Sequence, residues 1–396
     1  MEIRIRTLTP IWTGDVDQRS ESLQCTGIMG SLRWWVETTL RSMNRFVCDP
    51  SGENRCPPKD SKSYCVGCLI FGATGIRRSF RLNISGGETV FVGDSINIKP
   101  SGRKRGWYLG SGIVEDRKNN SEINFKITPL NSDFDEILVL LPLIIASKWG
   151  GIGAKIQHGY GVVEIEDLSK IEFNRFKEAV EKIISQKRLI KLSVDGLRAG
   201  NNQNLPNLKD MFFAKVQFET ANADWWTDVD GIKQAKNKEI LTSWINSGSV
   251  PVSPAIKSWL RSGEGRRLWS VDNKNQGERI ENWLFGITKK FERIASKINI
   301  SCAYPVKNNL YEFRIWGWIP KNGLPAGFNR DDFLDNLKQA LDNDSRSTKV
   351  PWNKLLGNQT RNHELTVWRE YNASRDTVKP NESDIDNYFQ SLLECK

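Results

Sequence analysis

The chain has 396 residues, too many for one ordinary hydrophobic core, and two domains are the expectation. Its 57 Lys and Arg against 47 Asp and Glu give a formal net charge of +10, which suits a polyanionic partner, although a mixed-charge surface alone also produces it. The longest apolar run, residues 137–146, is too short to span a bilayer, and strand-like alternation from Glu2 to Arg6 comes too early for a signal peptide. A cytoplasmic protein with no membrane partner and with reduced cysteines is therefore expected.

The aromatic content is unusual in kind, with 15 Trp against 7 Tyr. Several stand beside cations, as in Arg33-Trp34-Trp35, Arg105-Gly106-Trp107, Lys148-Trp149 and Arg267-Leu268-Trp269. Single-stranded RNA is held by this mixture, cations on phosphates and flat rings under bases, while tryptophans equally serve as core residues.

Residues 2–9 alternate as a strand, Ile3, Ile5 and Thr7 on one face and Arg4 and Arg6 on the other. A polar loop then leads to a helix over about residues 26–46. Thr26 suits its N-cap, Ile28, Leu32, Trp35, Leu40 and Met43 form its buried stripe, and Arg33, Glu37 and Arg41 fall in a row on another face. Gly27 and Gly30 cost helix propensity, so either an anionic ligand or a tightly packed strand approaches there. The next segment, 48–68, is too rich in Pro, Gly, Ser and Lys to build a core and needs a staple. Cys65-Val66-Gly67-Cys68 has the spacing of a zinc knuckle, which Cys48 and Cys56 complete as a tetrahedral thiolate set; four unrelated thiols are the alternative.

A glycine-punctuated turn ends in Arg77 and Arg78 and enters a strand at 80–84. Strands follow at 88–98 and 122–130, with basic tips at Lys99, 103–105 and 117–118, and a helix at 133–148 buries Phe134, Ile137, Leu138, Leu141 and Ile145. It runs into the loop Trp149-Gly150-Gly151-Ile152-Gly153-Ala154-Lys155-Ile156-Gln157-His158-Gly159-Tyr160-Gly161 and a strand at 162–165. Lys148 and Lys155 flank glycines whose backbone can approach a ligand closely. The loop lacks the Walker signature and runs from helix to strand, the wrong direction for a nucleotide loop. This order predicts an α+β, ferredoxin-like (RRM-type) module over residues 1–195, with the cysteine segment inserted at 48–68.

A helix at 170–190 and a Gly/Asn-rich linker at 196–204 precede a second module, 205–396. It has a strand at 211–219, a helix opened by Ser253-Pro254, a strand at 311–319 and a helix at 330–342; beyond that the chain reads as less regular and charged. An internal echo favours duplication. Leu69-Ile70-Phe71-Gly72-Ala73-Thr74 is matched by Trp283-Leu284-Phe285-Gly286-Ile287-Thr288, Arg77 and Arg78 by Lys289 and Lys290, and Leu82-Asn83-Ile84-Ser85 by Ile298-Asn299-Ile300-Ser301.

Four stretches together resemble the RAMP superfamily of CRISPR proteins, and within it subunits of the type III-B (Cmr) RNA-guided effector complex. They are Thr9-Pro10-Ile11-Trp12-Thr13-Gly14, Thr26-Gly27-Ile28-Met29-Gly30-Ser31-Leu32-Arg33-Trp34-Trp35, Cys68-Leu69-Ile70-Phe71-Gly72 and the loop 150–161. The resemblance is strong over residues 1–166 and architectural beyond. It implies two ferredoxin-like RAMP domains in tandem, holding CRISPR guide RNA near its 3′ end beside other RAMP subunits, in a complex that pairs the guide with single-stranded target RNA. Subunits of this type are not expected to cut. By position, the resemblance carries RNA contact onto Thr26, Gly30, Arg33, Arg41, Arg77, Arg78, Lys148, Gly151, Lys155, Gln157 and His158, with Gln157-His158 standing where the family often has a basic residue.

Two other readings compete. Asp15 and Asp17 occupy the loop where slicing relatives carry a catalytic aspartate. With Mg²⁺, and with His158 as acid or base, they would make a metal-dependent endoribonuclease. A scaffold that caps an assembly without touching RNA is the third.

Overall fold

Strand β1 (Glu2–Thr7) buries Ile3, Ile5 and Thr7 and exposes Glu2 and Arg4, as its alternation dictates. The computed structural model describes residues 1–394 except 16, 18, 53–54, 60–62, 91–94, 104–105, 116–121, 167–170, 189–204, 236–238, 290–291 and 344–347. The expected linker and the tip residues Lys104, Arg105, Arg117 and Lys118, with Lys290, fall outside the described residues.

After β1 come α1 (Cys25–Ser42), α2 (Val66–Phe71), β2 (Phe80–Ser85), a hairpin of β3 (Ile96–Ile98) and β4 (Trp107–Leu109), β5 (Ile123–Pro129), α3 (Ile137–Trp149), β6 (Val163–Ile165) and α4 (Phe173–Arg188). The main sheet is antiparallel in the order β2-β5-β1-β6, with Ile5 opposite Ile123 on one side and Ile165 on the other. A second series follows: β7 (Met211–Thr220), α5 (Glu239–Asn246), α6 (Ser253–Ser262), α7 (Lys274–Phe285), β8 (Ile298–Ile300), β9 (Leu310–Trp318), α8 (Arg330–Leu341), β10 (Thr360–Glu370) and α9 (Ile385–Glu394). Its sheet runs β8-β9-β7-β10, antiparallel throughout, with a further short strand at Tyr304–Lys307 beside β9. Counting only its own long-path strands, each sheet thus places its second, third, first and fourth members side by side.

The internal echo is structural as well. Gly72 and Gly286 end α2 and α7 with nearly the same backbone angles, φ +84°, ψ 159° and φ +75°, ψ 161°. In both copies the residue just before the next sheet strand donates its N–H to the carbonyl two residues before the glycine. Ser79 does so to Ile70 and Lys297 to Leu284, both at 2.9 Å.

Several expectations shift. Helix α1 is capped at Gln24, with Thr26 exposed inside its first turn, so Thr26 is not the N-cap. The strand expected at 88–98 breaks into Glu88–Thr89 and β3. Helix α3 starts at Ile137 and is buried all round except at Lys148, because α1, α4 and α9 surround it. The supposedly irregular last part holds the eleven-residue strand β10 and helix α9.

The two cores also interpenetrate. Tyr388, Phe389, Leu392 and Leu393 of α9 join the first core, where Phe389 meets Phe173 edge-on at 5.0 Å and Leu392 O accepts a bond from Trp149 Nε1 at 2.8 Å. Ile96, Ile98 and Leu109 of the hairpin join the second core. A linear division at residues 195–205 therefore does not match the packing. Among the described residues no helix is long and apolar enough to cross a membrane.

Candidate metal centre and nucleic-acid interface

Helix α2 starts just after Cys65 and carries Cys68 in its first turn. Cys48, Cys56, Cys65 and Cys68 are all buried, and their sulfurs lie within 4.8 Å of one another. The Cys48 sulfur is 3.6 Å from those of Cys68 and Cys65. A tetrahedron with metal–sulfur bonds of about 2.3 Å has edges of about 3.8 Å, so four thiolates at these positions fit one ion of that size. Among the described residues this is the only group of three or more potential ligands found together.

The row Arg33, Glu37, Arg41 faces this centre. Arg33 donates to Glu37 at 2.7 Å, to the Cys68 sulfur at 3.3 Å and to the Gly72 carbonyl at 3.4 Å. Arg41 donates to Glu37 at 3.2 Å, to the Cys48 carbonyl at 3.3 Å and to the Pro206 carbonyl at 3.1 Å. The Arg41 side chain is only 4% exposed, which turns it inward, away from any polyanion. Sequence periodicity showed the row; it could not show what lay opposite.

Towards the N-terminus the same face of α1 is open, with Thr26 and Gly30 exposed. A Cβ on Gly30 would meet nothing within 4 Å, whereas one on Gly27 would press on Thr13 at 3.1 Å. Gly27 therefore serves close packing and Gly30 faces free space. Thr13 ties the preceding loop to the helix, its hydroxyl accepting from Gln24 N and donating to Ser22 O. Next to it, Trp12 lies beneath the Lys155 ammonium at 3.8 Å and pairs with Ala154 through the backbone. Arg77 and Arg78 are exposed on the turn that Gly72 opens, whose carbonyl Arg33 holds. A Cβ on Gly72 would collide with Arg78 N at 2.9 Å, so the turn needs glycine there.

The glycine loop is mainly a joint between the two modules. Gly150 and Gly151 are buried, with Gly151 O accepting from Trp35 Nε1 at 3.0 Å and Gly150 packed against Trp35 and Trp316. Arg314 of β9 donates to Ser147 O and, at 3.4 Å, to Gly150 O. Gly159 O accepts from Cys302 N, and His158 O from Ser253 Oγ. Gly151 thus packs against protein, and only 153–158 reach the surface in part. Lys155 adopts a left-handed backbone, φ +52°, at the crest of the loop. His158 sits beside Trp107, their rings 4.9 Å apart, and its Nδ1 is buried without a partner among the described residues. Burial, then the ammoniums of Lys257 and Lys155, hold its imidazole down at about 4, neutral at pH 7. Lys148 is half-buried in the last turn of α3.

Asp15 does ordinary turn work, its Oδ1 accepting from Asp17 N at 3.0 Å and Arg19 N at 2.8 Å. Sequence reasoning missed Lys257, which lies 5.4 Å over the Trp107 ring and donates to Ser296 Oγ and Ile298 O. Its position on the amphipathic helix α6 was the available signal.

The fold and centre define an antiparallel α+β protein of two like-ordered sheets, carrying a four-thiol cluster beside a cation-and-tryptophan surface. Residues 4–164 match the family model of the RAMP superfamily. Comparison with curated proteins gives no match. Among solved structures, the chain is similar to Cmr1 from Pyrococcus furiosus in its apo form, at 14% identity and a TM-score of 0.35, over 84% of this chain and 92% of that one. It is similar also to a chain of the type III-B Cmr-beta complex bound to cognate target RNA and AMPPnP in the presence of ssDNA, at 12% identity and a TM-score of 0.36, over 84% and 97% of the two chains.

Proposed function

We propose that the protein is a non-catalytic, RNA-binding subunit of a cytoplasmic type III-B CRISPR effector complex. In this reading it holds guide RNA near its 3′ end, supports capture of target RNA and neighbours other RAMP subunits. Two tandem ferredoxin-like repeats form it, and zinc in the Cys48, Cys56, Cys65 and Cys68 site staples the first. The single observation that carries the RNA role is the open N-terminal stretch of α1, where Gly30 faces free space; the family-matched region also exposes Arg77 and Arg78 and holds Lys155 over Trp12.

The contact set on this reading is Thr26, Gly30, Arg77, Arg78, Lys155 and Gln157, with the exposed part of Arg33 between them. Arg41 and Gly151 serve the interior instead. Cations on phosphates give affinity without sequence reading.

Fluorescence anisotropy with labelled single-stranded RNA at two salt concentrations tests this. Wild type should lose affinity steeply with salt as counterions are released, and Lys155→Ala/Arg77→Ala/Arg78→Ala should reduce both affinity and salt slope. Equal, salt-insensitive binding in both would favour the capping scaffold. RNA cut in Mg²⁺ by wild type but not by Asp15→Ala would replace the reading with the nuclease.

A further inference from the structure

A buried and a half-buried guanidinium, of Arg41 and Arg33, share one buried carboxylate beside the cysteine cluster. The side chains of Arg33, Glu37 and Arg41 are 21%, 6% and 4% exposed. Asp49, held by Ser51 N and Oγ, adds a further negative charge near Arg41. Four thiolates around a divalent ion carry a double negative charge, which two guanidiniums donating to the cluster's sulfur and backbone stabilise. The hydrogen bond from Arg33 to the Cys68 sulfur points the same way, since a metal-bound thiolate is the better acceptor.

Resting on the metal reading above, we propose that the four cysteines form a metal-loaded, net-negative tetrathiolate that Arg33 and Arg41 stabilise, and that this pair transmits its occupancy outward in two directions. Arg33 ends on the Gly72 carbonyl, the hinge of the turn that displays Arg77 and Arg78. Arg41 ends on the Pro206 carbonyl, and Asn207 Nδ2 returns a bond to Arg41 O at 3.5 Å, just ahead of β7. Glu37 bridges the two. One ion thus fixes both the cationic turn and the start of the second series of elements. Arg33 and Arg41 are positioning residues here; neither is a ligand.

The test uses the full chain. Metal per chain is measured by atomic emission after dialysis, and amide hydrogen exchange is followed at 72–79 and 206–211 in loaded and chelator-stripped protein. About one ion per chain is expected, with exchange at both segments at least about tenfold faster after stripping while β7 and β9 stay protected. In loaded protein, Arg33→Gln should speed exchange at 72–79 only and Arg41→Gln at 206–211 only. Arg33→Gln should also weaken metal affinity by about 10–100-fold. Loaded with cobalt, it should shift the sulfur-to-metal charge-transfer band, because the bond to Cys68 is lost. If stripping unfolds the whole chain, the loaded variants decide the matter. Unchanged local exchange in loaded Arg33→Gln and Arg41→Gln would overturn the transmission and leave the metal in place. Wild type with no metal would sink both.

Discussion

His158 concentrates the competing demands on the glycine loop, packed inside a joint yet ringed by cations. Its imidazole is held at about 4 by burial and by Lys257 and Lys155, against an ordinary 6.5. His363, stacked on Trp352, is held at about 4 by burial. The unfolded chain therefore binds more protons between pH 6.5 and 4, and stability must fall as pH drops through that window. Lys257 has the opposite placement on the scale. Burial, then Arg261, bring its ammonium down from 10.5 to about 7, so stability rises from pH 7 upward. That rise lasts to about pH 9, where Cys302, pushed up to about 12 by burial, begins to reverse the trend. Scanning calorimetry across pH should show both limbs, the acid one shallower in His158→Asn and the rise above pH 7 flattened in Lys257→Met.

Two glycines should respond oppositely. Gly30→Ala meets no neighbour and should add about 0.5–1 kcal/mol of helix stability while weakening RNA binding several-fold. Gly161→Ala, at φ +85° and with a Cβ 2.0 Å from Ile152 O, should cost about 2–3 kcal/mol by chemical denaturation.

Helix α1 shows which parts of an element are legible in one dimension. Its stripe of Ile28, Leu32, Trp35 and Leu40 is buried as the 3.6-residue period requires. The alignment of Arg33, Glu37 and Arg41 was equally readable. Their inward orientation was not, because it depends on where a distant cysteine segment folds. The same split applies to the cysteines, whose spacing alone gathered four ligands now seen within one coordination distance. Strand β10 escaped notice for another reason. Its pairing with β7 shifts register between Arg361 and Glu364 and again between Leu365 and Val367, and such irregularities erase the two-residue alternation that marks a strand. At this scale the prediction concerns the staple. Chelation should lower the melting temperature of wild type clearly, and Cys65→Ser should both lower it and remove the effect of chelator.

At the scale of the molecule, the joint rests on a few buried polar groups. Arg314, 5% exposed, reaches Ser147 O, Gly150 O and Tyr304 OH, so Arg314→Met should cost about 2–4 kcal/mol, mostly by leaving those carbonyls unpaired. The sequence announced an internal echo, and two sheets appear with like strand orders. What it concealed is that α9 crosses back to cover α3 and α4, since an amphipathic helix states only that it needs a partner, not which. A fragment of residues 1–195 should therefore bind hydrophobic dyes and lack a cooperative thermal transition, and adding a peptide of residues 380–394 should restore one.

That returning helix has a bearing on biosynthesis. During translation the first core stays unsealed, its Phe173 uncovered, until residues 385–394 have left the ribosome. A polypeptide interrupted before that point could carry every cation and every thiol described above and still be open to chaperones and proteases, so only those that run through α9 would be competent to join an assembly.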